Sequence, residues 1–193
     1  VSRAPGNAHC LRRKESVSLC RIVFHHTRGF VQYYDFGDGT FDEYFECFVR
    51  GQVDFGDYFE NVLSWFNHRA GENIHWVNTY ESMSADPLVG ITAVGEFLGS
   101  QWASNVRDSD VLEQILHHSS FNEMSQDQLR WASERPKDMP AFVRKGAVGD
   151  WRQHFSRDQT ARMLERIESI PGAAELVTLW PETMAAAGEF AGS

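Results

Sequence analysis

The residues predict a globular, mostly helical chain with few strands. If the chain is α/β, most of its sheet lies elsewhere. Three observations lead there. The chain has 193 residues, 42% hydrophobic and 23% charged, the balance of a folded domain rather than a disordered one. Apolar residues recur at helical spacing behind capping residues in several segments. Only residues 20–24 and 74–79 read as strand candidates.

In chain order, the first 20 residues show no clear period. Ile22-Val23-Phe24 is a short apolar run that ends a buried strand or starts a helix; length alone does not decide. Gly37-Asp38-Gly39 marks a turn. Thr40 with Glu43 three residues on is a capping box, and Phe41, Tyr44, Phe45 and Phe48 form one helical face that Gly51 ends. A second helix starts at Asp57, with Phe59, Val62, Leu63 and Phe66 as its buried stripe, and Gly71 breaks the chain. Ile74 to Thr79 is rich in β-favouring residues and reads as a strand. Asp86-Pro87 starts a helix through Ile91, Val94 and Leu98, stopped at Gly99. Another covers Asp110 to His118 with Leu112 and Ile115 inward, closed by Ser119 and Ser120. Ser125 caps a further short helix through Trp131, and 134–149 is a loop rich in Pro, Gly and Lys. Ser156 with Gln159 is a second capping box, leading Thr160, Met163, Leu164 and Ile167 in helical register until Pro171-Gly172. The closing AAAGEFAGS is expected to fray.

Composition excludes several function classes. No apolar run approaches the ~18 residues of a membrane helix, so no membrane partner is expected. The N-terminus is positively charged without an apolar core behind it, so it is not a secretory signal; with no initiator Met, the start is expected to be truncated. A net charge of −9 and a pI of about 5.3 argue against a nucleic-acid partner. Three cysteines, Cys10, Cys20 and Cys47, form no CxxC pair, which argues against a disulfide framework or zinc ribbon and fits a reducing, cytoplasmic compartment. No His, Cys or carboxylate pattern has metal-ligand spacing, so no metal is expected. Residues 35–60 carry eight acids against one arginine, and 141–163 carry a net +3. The basic island in an acidic chain points to a small anionic ligand. Asp35, Asp38 and the nearby acids are expected on a solvated face or in part of a mobile loop over a substrate pocket.

The strongest local feature is Phe142-Val143-Arg144-Lys145-Gly146-Ala147-Val148-Gly149-Asp150-Trp151. An Arg-Lys pair before glycine lets two cations and backbone N–H groups converge on one phosphate, and Gly146 and Gly149 permit close approach. A bare RKG is more often a solvated basic loop. The longer string through Arg152-Gln153-x-Phe155 is far more specific. It resembles the nucleotide-binding signature R-K-G-x-x-G-D-W-K-x-x-F of the cytosolic sulfotransferases, departing only by Arg at 152. Thr79-Tyr80-Glu81-x-Met83-x-x-Asp86-Pro87, Glu96-Phe97-Leu98-Gly99 and Ser119-Ser120-Phe121-x-x-Met124 are similar to that family's T-Y-E-x-M-x-x-D-P, E-F-L-G and T-S-F-x-x-M. His25-His26-Thr27-Arg28-Gly29-Phe30, Tyr33-Tyr34 and residues 39–65 look like the middle of such enzymes. The resemblance covers residues 12 to about 168 in the family's order.

That resemblance implies an α/β fold: a central parallel sheet flanked by helices, the P-loop-NTPase-like sulfotransferase fold, incomplete at the N-terminus. It implies one partial domain over 1–193, with an irregular match over 1–22 and a divergent tail over 172–193. The implied activity moves a sulfuryl group from 3′-phosphoadenylyl sulfate to a hydroxyl or amine of a small, aromatic acceptor; the alternative is a non-catalytic nucleotide-binding relative. Arg144, Lys145 and Gly146 would hold the donor's 3′-phosphate, with Phe142 and Val143 leading into that contact. Tyr80, Ser119, Phe121 and Met124 would surround the adenine, with Ser120 in the same donor site. Plain core packing competes for Phe121 and Met124, and an inward strand-end tyrosine for Tyr80. Near the N-terminus the family's R-N-P-K-[DE]-x-x-x-S segment is poorly matched, and Arg12 and Ser18 are the nearest equivalents of its phosphate ligands.

His25 and His26 read as structural rather than catalytic. The family's phosphosulfate loop, T-x-P-K-S-G-T-x-W, and its catalytic histidine have no counterpart in the 193 residues, so no catalytic residue is assigned and the chain alone is expected not to transfer sulfate. The dimer motif would fall at Arg152, Ser156, Arg157 and Ala161 and is not preserved, which puts the family's homodimer contact in doubt. Without upstream strands, Phe41, Phe45, Phe48, Phe59 and Phe66 are expected to lie uncovered, leaving the chain weakly stable or prone to aggregate. A P-loop kinase relative is disfavoured because no G-x-x-x-x-G-K-[ST] is present.

Overall fold

The computed structural model describes residues 9–11, 20, 23–24, 36, 38–54, 56–76, 79–127, 130, 143 and 146–193. In chain order its elements are β1 (His9–Leu11), α1 (Phe41–Val49), α2 (Tyr58–Asn67), β2 (Ile74–Trp76), α3 (Tyr80–Ala85), α4 (Pro87–Phe97), α5 (Ser100–Arg107), α6 (Ser109–His118), α7 (Phe121–Gln126), a 3₁₀ turn (Asp150–Gln153), α8 (Arg157–Glu168), α9 (Ala174–Val177) and α10 (Pro181–Gly192). They fall into two compact units. One comprises Val1–Arg13 and Arg69–Gly146, the other Lys14–His68 and Ala147–Ser193.

The second unit is held by an aromatic core. Thr40 and Glu43 make the expected capping box at α1: the Glu43 N–H donates to Thr40 Oγ1 at 3.3 Å, and the Thr40 N–H to Glu43 Oε2 at 2.9 Å. Those bonds hold the Glu43 carboxyl below the usual range, the Thr40 backbone N–H contributing most. Asp57 caps α2, accepting from the N–H groups of Phe59 and Glu60. Phe45, Phe48, Phe59, Val62 and Phe66 are buried, as are Trp151, Phe155, Met163 and Ile167. The expectation that the phenylalanines lie uncovered is overturned for these four, because α8, α9, α10 and the 3₁₀ turn supply their cover. Phe155 meets Phe41 and Phe45 edge-on at 5.1 and 5.8 Å. Each fully buried side chain of this size contributes about 1.5–3 kcal/mol.

Charges register α8 on the two earlier helices. Arg162 makes a two-pronged contact with Glu46, at 2.5 and 2.8 Å. Arg166 Nη2 reaches Asp57 Oδ2 at 2.6 Å, and Gln159 Nε2 donates to Asp42 Oδ1 at 2.8 Å. The Arg162 hydrogen bonds hold the Glu46 carboxyl below its ordinary range, and the same pairing raises the arginine's. Asp42, Glu46 and Asp57 are therefore not a merely solvated acidic face, and Arg162 of the basic island is engaged by an internal carboxylate.

Two more expectations are decided here. Cys20, Val23 and Phe24 are helical, so the apolar run does not end a strand. Phe24 is buried edge-on against Phe41 at 5.5 Å, a place in the aromatic cluster. The C-terminal segment does not fray: α10 starts with Pro181 at its first helical position and packs on α8. Its Ala187 is fully buried and its Phe190 meets Trp151 edge-on at 5.7 Å. Alanines cost a helix the least conformational entropy, and here they also let two helices approach closely.

Among its described residues, the first unit buries fewer apolar side chains. β1 and β2 pair in parallel, His9 opposite Ile74 and Leu11 opposite Trp76. Of the strand expected over 74–79, Ile74–Trp76 is described as strand, whereas Thr79 caps α3, its Oγ1 accepting from the Ser82 N–H at 3.1 Å. Asp86 and Pro87 open α4 as expected, and Gly95 in that helix lies against Val106 of α5, where a Cβ would come within 2.5 Å of a valine methyl. α5 has no side-chain cap and was not foreseen. A helix not foreseen, α7, begins at Phe121, where Ser120 Oγ accepts the Glu123 N–H at 3.3 Å; of the segment expected to be helical through Trp131, Arg130 is described and is helical, its N–H donating to Asp127 Oδ1 at 3.2 Å. Leu88, Val89, Leu98 and Trp102 stay 40–59% exposed.

Candidate functional site

Three of the expected ligand-binding residues converge within the first unit. Tyr80 is the first residue of α3, placed there by the Thr79 cap. Its hydroxyl donates to the carbonyl oxygen of Gly146 at 3.0 Å, across 66 residues of chain. Phe121 is the first residue of α7, placed by the Ser120 cap, and remains 40% exposed. Gly146 sits at φ +63°, and a Cβ there would come within 2.5 Å of the Phe121 ring. Both the backbone conformation and the ring therefore require glycine at 146. The result is a strand of bare backbone laid between a tyrosine hydroxyl and a half-exposed aromatic ring. Such a place accommodates a flat, polar-edged ligand: the exposed part of the ring offers a stacking face, and the missing Cβ lets the backbone lie against that ring.

The neighbouring candidates act locally in the described structure. Ser119 Oγ donates to the Leu116 carbonyl at 3.4 Å, Ser120 Oγ is the α7 cap, and Met124 is half-buried on α7. Val143 is half-buried. Arg12, Ser18, Phe142, Arg144 and Lys145 lie outside the described residues, as do His25 and His26.

The signature string divides at the unit boundary, through Gly146 in one and from Ala147 in the other. Its later part is structural: Trp151 is 1% exposed, Arg152 stacks over its ring at 5.3 Å, and Phe155 completes the aromatic core. Two features escaped the sequence. The Tyr80–Gly146 bond joins positions no periodicity relates. His117, His118 and Glu123 come together at the α6–α7 junction, although their linear order shows no metal-binding pattern.

Among curated proteins, the chain is 32% identical over 164 residues to sulfotransferase 1C2 of Oryctolagus cuniculus, covering 82% of this chain and 53% of that one. It is 34% identical over 143 residues to sulfotransferase 1C2 of Rattus norvegicus, covering 72% and 46%. The chain thus spans about half the length of the curated relatives it matches. Among solved structures, mouse sulfotransferase SULT7A1 complexed with PAP superposes with a TM-score of 0.71 at 24% identity, covering 91% of this chain and 62% of that one. Retinol dehydratase in complex with androsterone and inactive cofactor PAP follows at 0.67 and 22%, covering 83% and 46%. At these identities the structural likeness carries the fold alone. Residues 22–186 match the sulfotransferase domain, and the chain belongs to that family.

Proposed function

We propose that this chain binds the adenosine 3′,5′-bisphosphate portion of 3′-phosphoadenylyl sulfate, within a sulfotransferase that moves the sulfuryl group to a hydroxyl or amine of a small, aromatic acceptor. The observation that carries this reading is the convergence of Tyr80, Phe121 and Gly146. Family membership and two PAP-complexed structures of the same fold support it. In this reading Phe121 stacks on the adenine, with Tyr80, Ser119, Ser120 and Met124 around it. Arg144, Lys145 and the Gly146 backbone hold the 3′-phosphate, with Phe142 and Val143 leading into that contact and Arg12 and Ser18 as further phosphate ligands. The fit rests on what the described residues offer: an exposed ring, a backbone stripped of its Cβ, and a hydroxyl that fixes the carbonyl beside it.

The donor supplies the sulfuryl group. With the donor bound, its sulfur–oxygen bond to phosphate would break, releasing adenosine 3′,5′-bisphosphate, as sulfur bonds to the acceptor oxygen or nitrogen and the acceptor's proton passes to a general base. The residues of this chain act at the far end of that molecule. Binding energy gathered at the 3′-phosphate and adenine holds the reacting end in place. No metal enters this reading. The family match runs across residues of both units, which supports reading 1–193 as one partial domain of a fold with a central parallel sheet. A cytoplasmic location is proposed from the cysteine usage; no helix among the described residues is long and apolar enough to cross a membrane.

Calorimetry with adenosine 3′,5′-bisphosphate tests the reading. Phe121→Ala is expected to weaken binding about tenfold, since base–aromatic stacking contributes ~1–3 kcal/mol. Arg144→Ala is expected to cost roughly tenfold or more, the worth of a charge-assisted bond to phosphate. Gly146→Ala should abolish binding by strain and by displacing the ring. Unchanged affinity in all three variants overturns the assignment. Nucleotide binding by the full-length protein without transfer to phenols or amines would select the non-catalytic alternative.

A further inference from the structure

We propose that His117, His118 and Glu123 form a site for a borderline divalent cation of the Zn2+ class, closing the junction between α6 and α7. Among the described residues these three are the one group of histidine, cysteine or carboxylate side chains whose ligand atoms all lie within 4.8 Å of one another. His117 Nε2 is 3.7 Å from Glu123 Oε2, and the two imidazole rings meet edge-on with centroids 5.1 Å apart. Around a tetrahedral Zn2+ with bonds of roughly 2.0–2.1 Å, neighbouring donor atoms sit about 3.4 Å apart. The donor atoms thus lie at most about 1.4 Å farther apart than in ligating geometry. The His117 and Glu123 side chains are 63% and 38% exposed and His118 is also exposed, so ordinary rotamer adjustments close that gap.

Three further features fit a cation here. The histidines are the last two residues of α6, at the negative end of its dipole. Asp110 and Glu113 share an open face of the same helix with His117 and His118, so carboxylates flank the approach. Two imidazoles and one carboxylate select Zn2+, Cu2+ or Ni2+ over Mg2+ or Ca2+, which take oxygen donors. A bare exposed pair between His117 and Glu123 would contribute little and would leave His118 without a role. A bound ion would tie the last turn of α6 to the first turn of α7, two residues from Phe121. The site stands independently of the nucleotide reading, since none of its ligands belongs to the Tyr80–Phe121–Gly146 cluster.

The test is equilibrium dialysis and calorimetry of the metal-free full chain with ZnCl2 in a non-chelating buffer. The chain has eight histidines, so the comparison is between variants rather than with zero binding. The double variant His117→Gln/His118→Gln is expected to bind one equivalent of Zn2+ fewer than the parent. Glu123→Gln should weaken that equivalent about tenfold or more. MgCl2 at millimolar concentration should not compete. Far-ultraviolet melting curves without metal should superimpose, because the substituted side chains are exposed; His118→Gln alone provides a milder variant with the same expected direction. Equal Zn2+ stoichiometry and affinity in parent and double variant would overturn the proposal, as would displacement of the ion by Mg2+.

Discussion

The two units of the molecule bury their apolar residues to different extents. The unit containing α1, α2, α8, α9 and α10 encloses Phe45, Phe48, Val62, Trp151 and Met163 at 2% exposure or less. In the unit containing α3 to α7, the described buried apolar side chains are Ala103 and Val106, while Leu88, Val89, Leu98 and Trp102 face outward. Both have well-capped helices. Local helix formation therefore does not distinguish them; the supply of covering surface does. A helix in a protein draws most of its stability from the partner its apolar face meets. Among the described residues, the first unit carries the candidate ligand-binding cluster and fewer buried apolar side chains, the second more of them and the ion pairs that register its helices.

The comparison breaks first at Trp151. Truncation to alanine is expected to cost about 3–5 kcal/mol in denaturant unfolding, the usual cost of deleting a fully buried aromatic. The matching change at Trp102, 50% exposed, should stay within about 0.5 kcal/mol. Similar losses at the two tryptophans would erase the distinction. Next is Arg166→Ala, which strips its partner from Asp57, whose side chain is 9% exposed. Because Asp57 keeps its cap bonds to α2, the expected loss is about 1–3 kcal/mol. Thr40→Ala removes the cap of α1 and should cost about 1 kcal/mol in the same measurement.

A pH series sharpens the contrast without a large effect. The folded-state pKa values of Glu43 and Glu46 are depressed, so their contribution is complete above the ordinary glutamate range and is lost as pH falls through the lower folded values. Melting temperature followed downward from pH 6 should decline through that window, and Glu46→Gln should flatten the decline. An unchanged acid limb in that variant would remove Glu46 from the account. The smallest stability effect is expected for Leu88→Ser and Trp102→Ser. They should leave unfolding nearly untouched and reduce self-association in light scattering.

Much of the fold was legible because its signals are local. The capping boxes at Thr40 and Ser156, the Asp57 cap and the Asp86-Pro87 start all depend on residues within one turn of each other. The errors came where tertiary context outweighed pattern. Thr79 reads as β-favouring, yet its hydroxyl caps α3. The alanine-rich terminus has no strong periodicity, yet it lies as a helix on α8 because small side chains fit a close helix contact. The acidic stretch reads as solvated until α8 brings Gln159, Arg162 and Arg166 to Asp42, Glu46 and Asp57.

For the candidate site the division is similar. The sequence by itself determined which residue types stand in which order: an aromatic after Thr79, another after Ser120, and glycine at 146. It also determined the family, because an ordered set of short motifs identifies a fold without specifying its contacts. Only the tertiary structure decided that the Tyr80 hydroxyl holds the Gly146 carbonyl, that Phe121 fills the space a Cβ would take, and that Trp151 and Phe155 are core rather than ligand contacts. It likewise decided that His117, His118 and Glu123 share one corner. Capping and periodicity act over a few residues and leave a trace in the linear order. Hydrogen bonds and ring contacts that close loops of tens of residues leave none, because what selects them is the packing of whole elements.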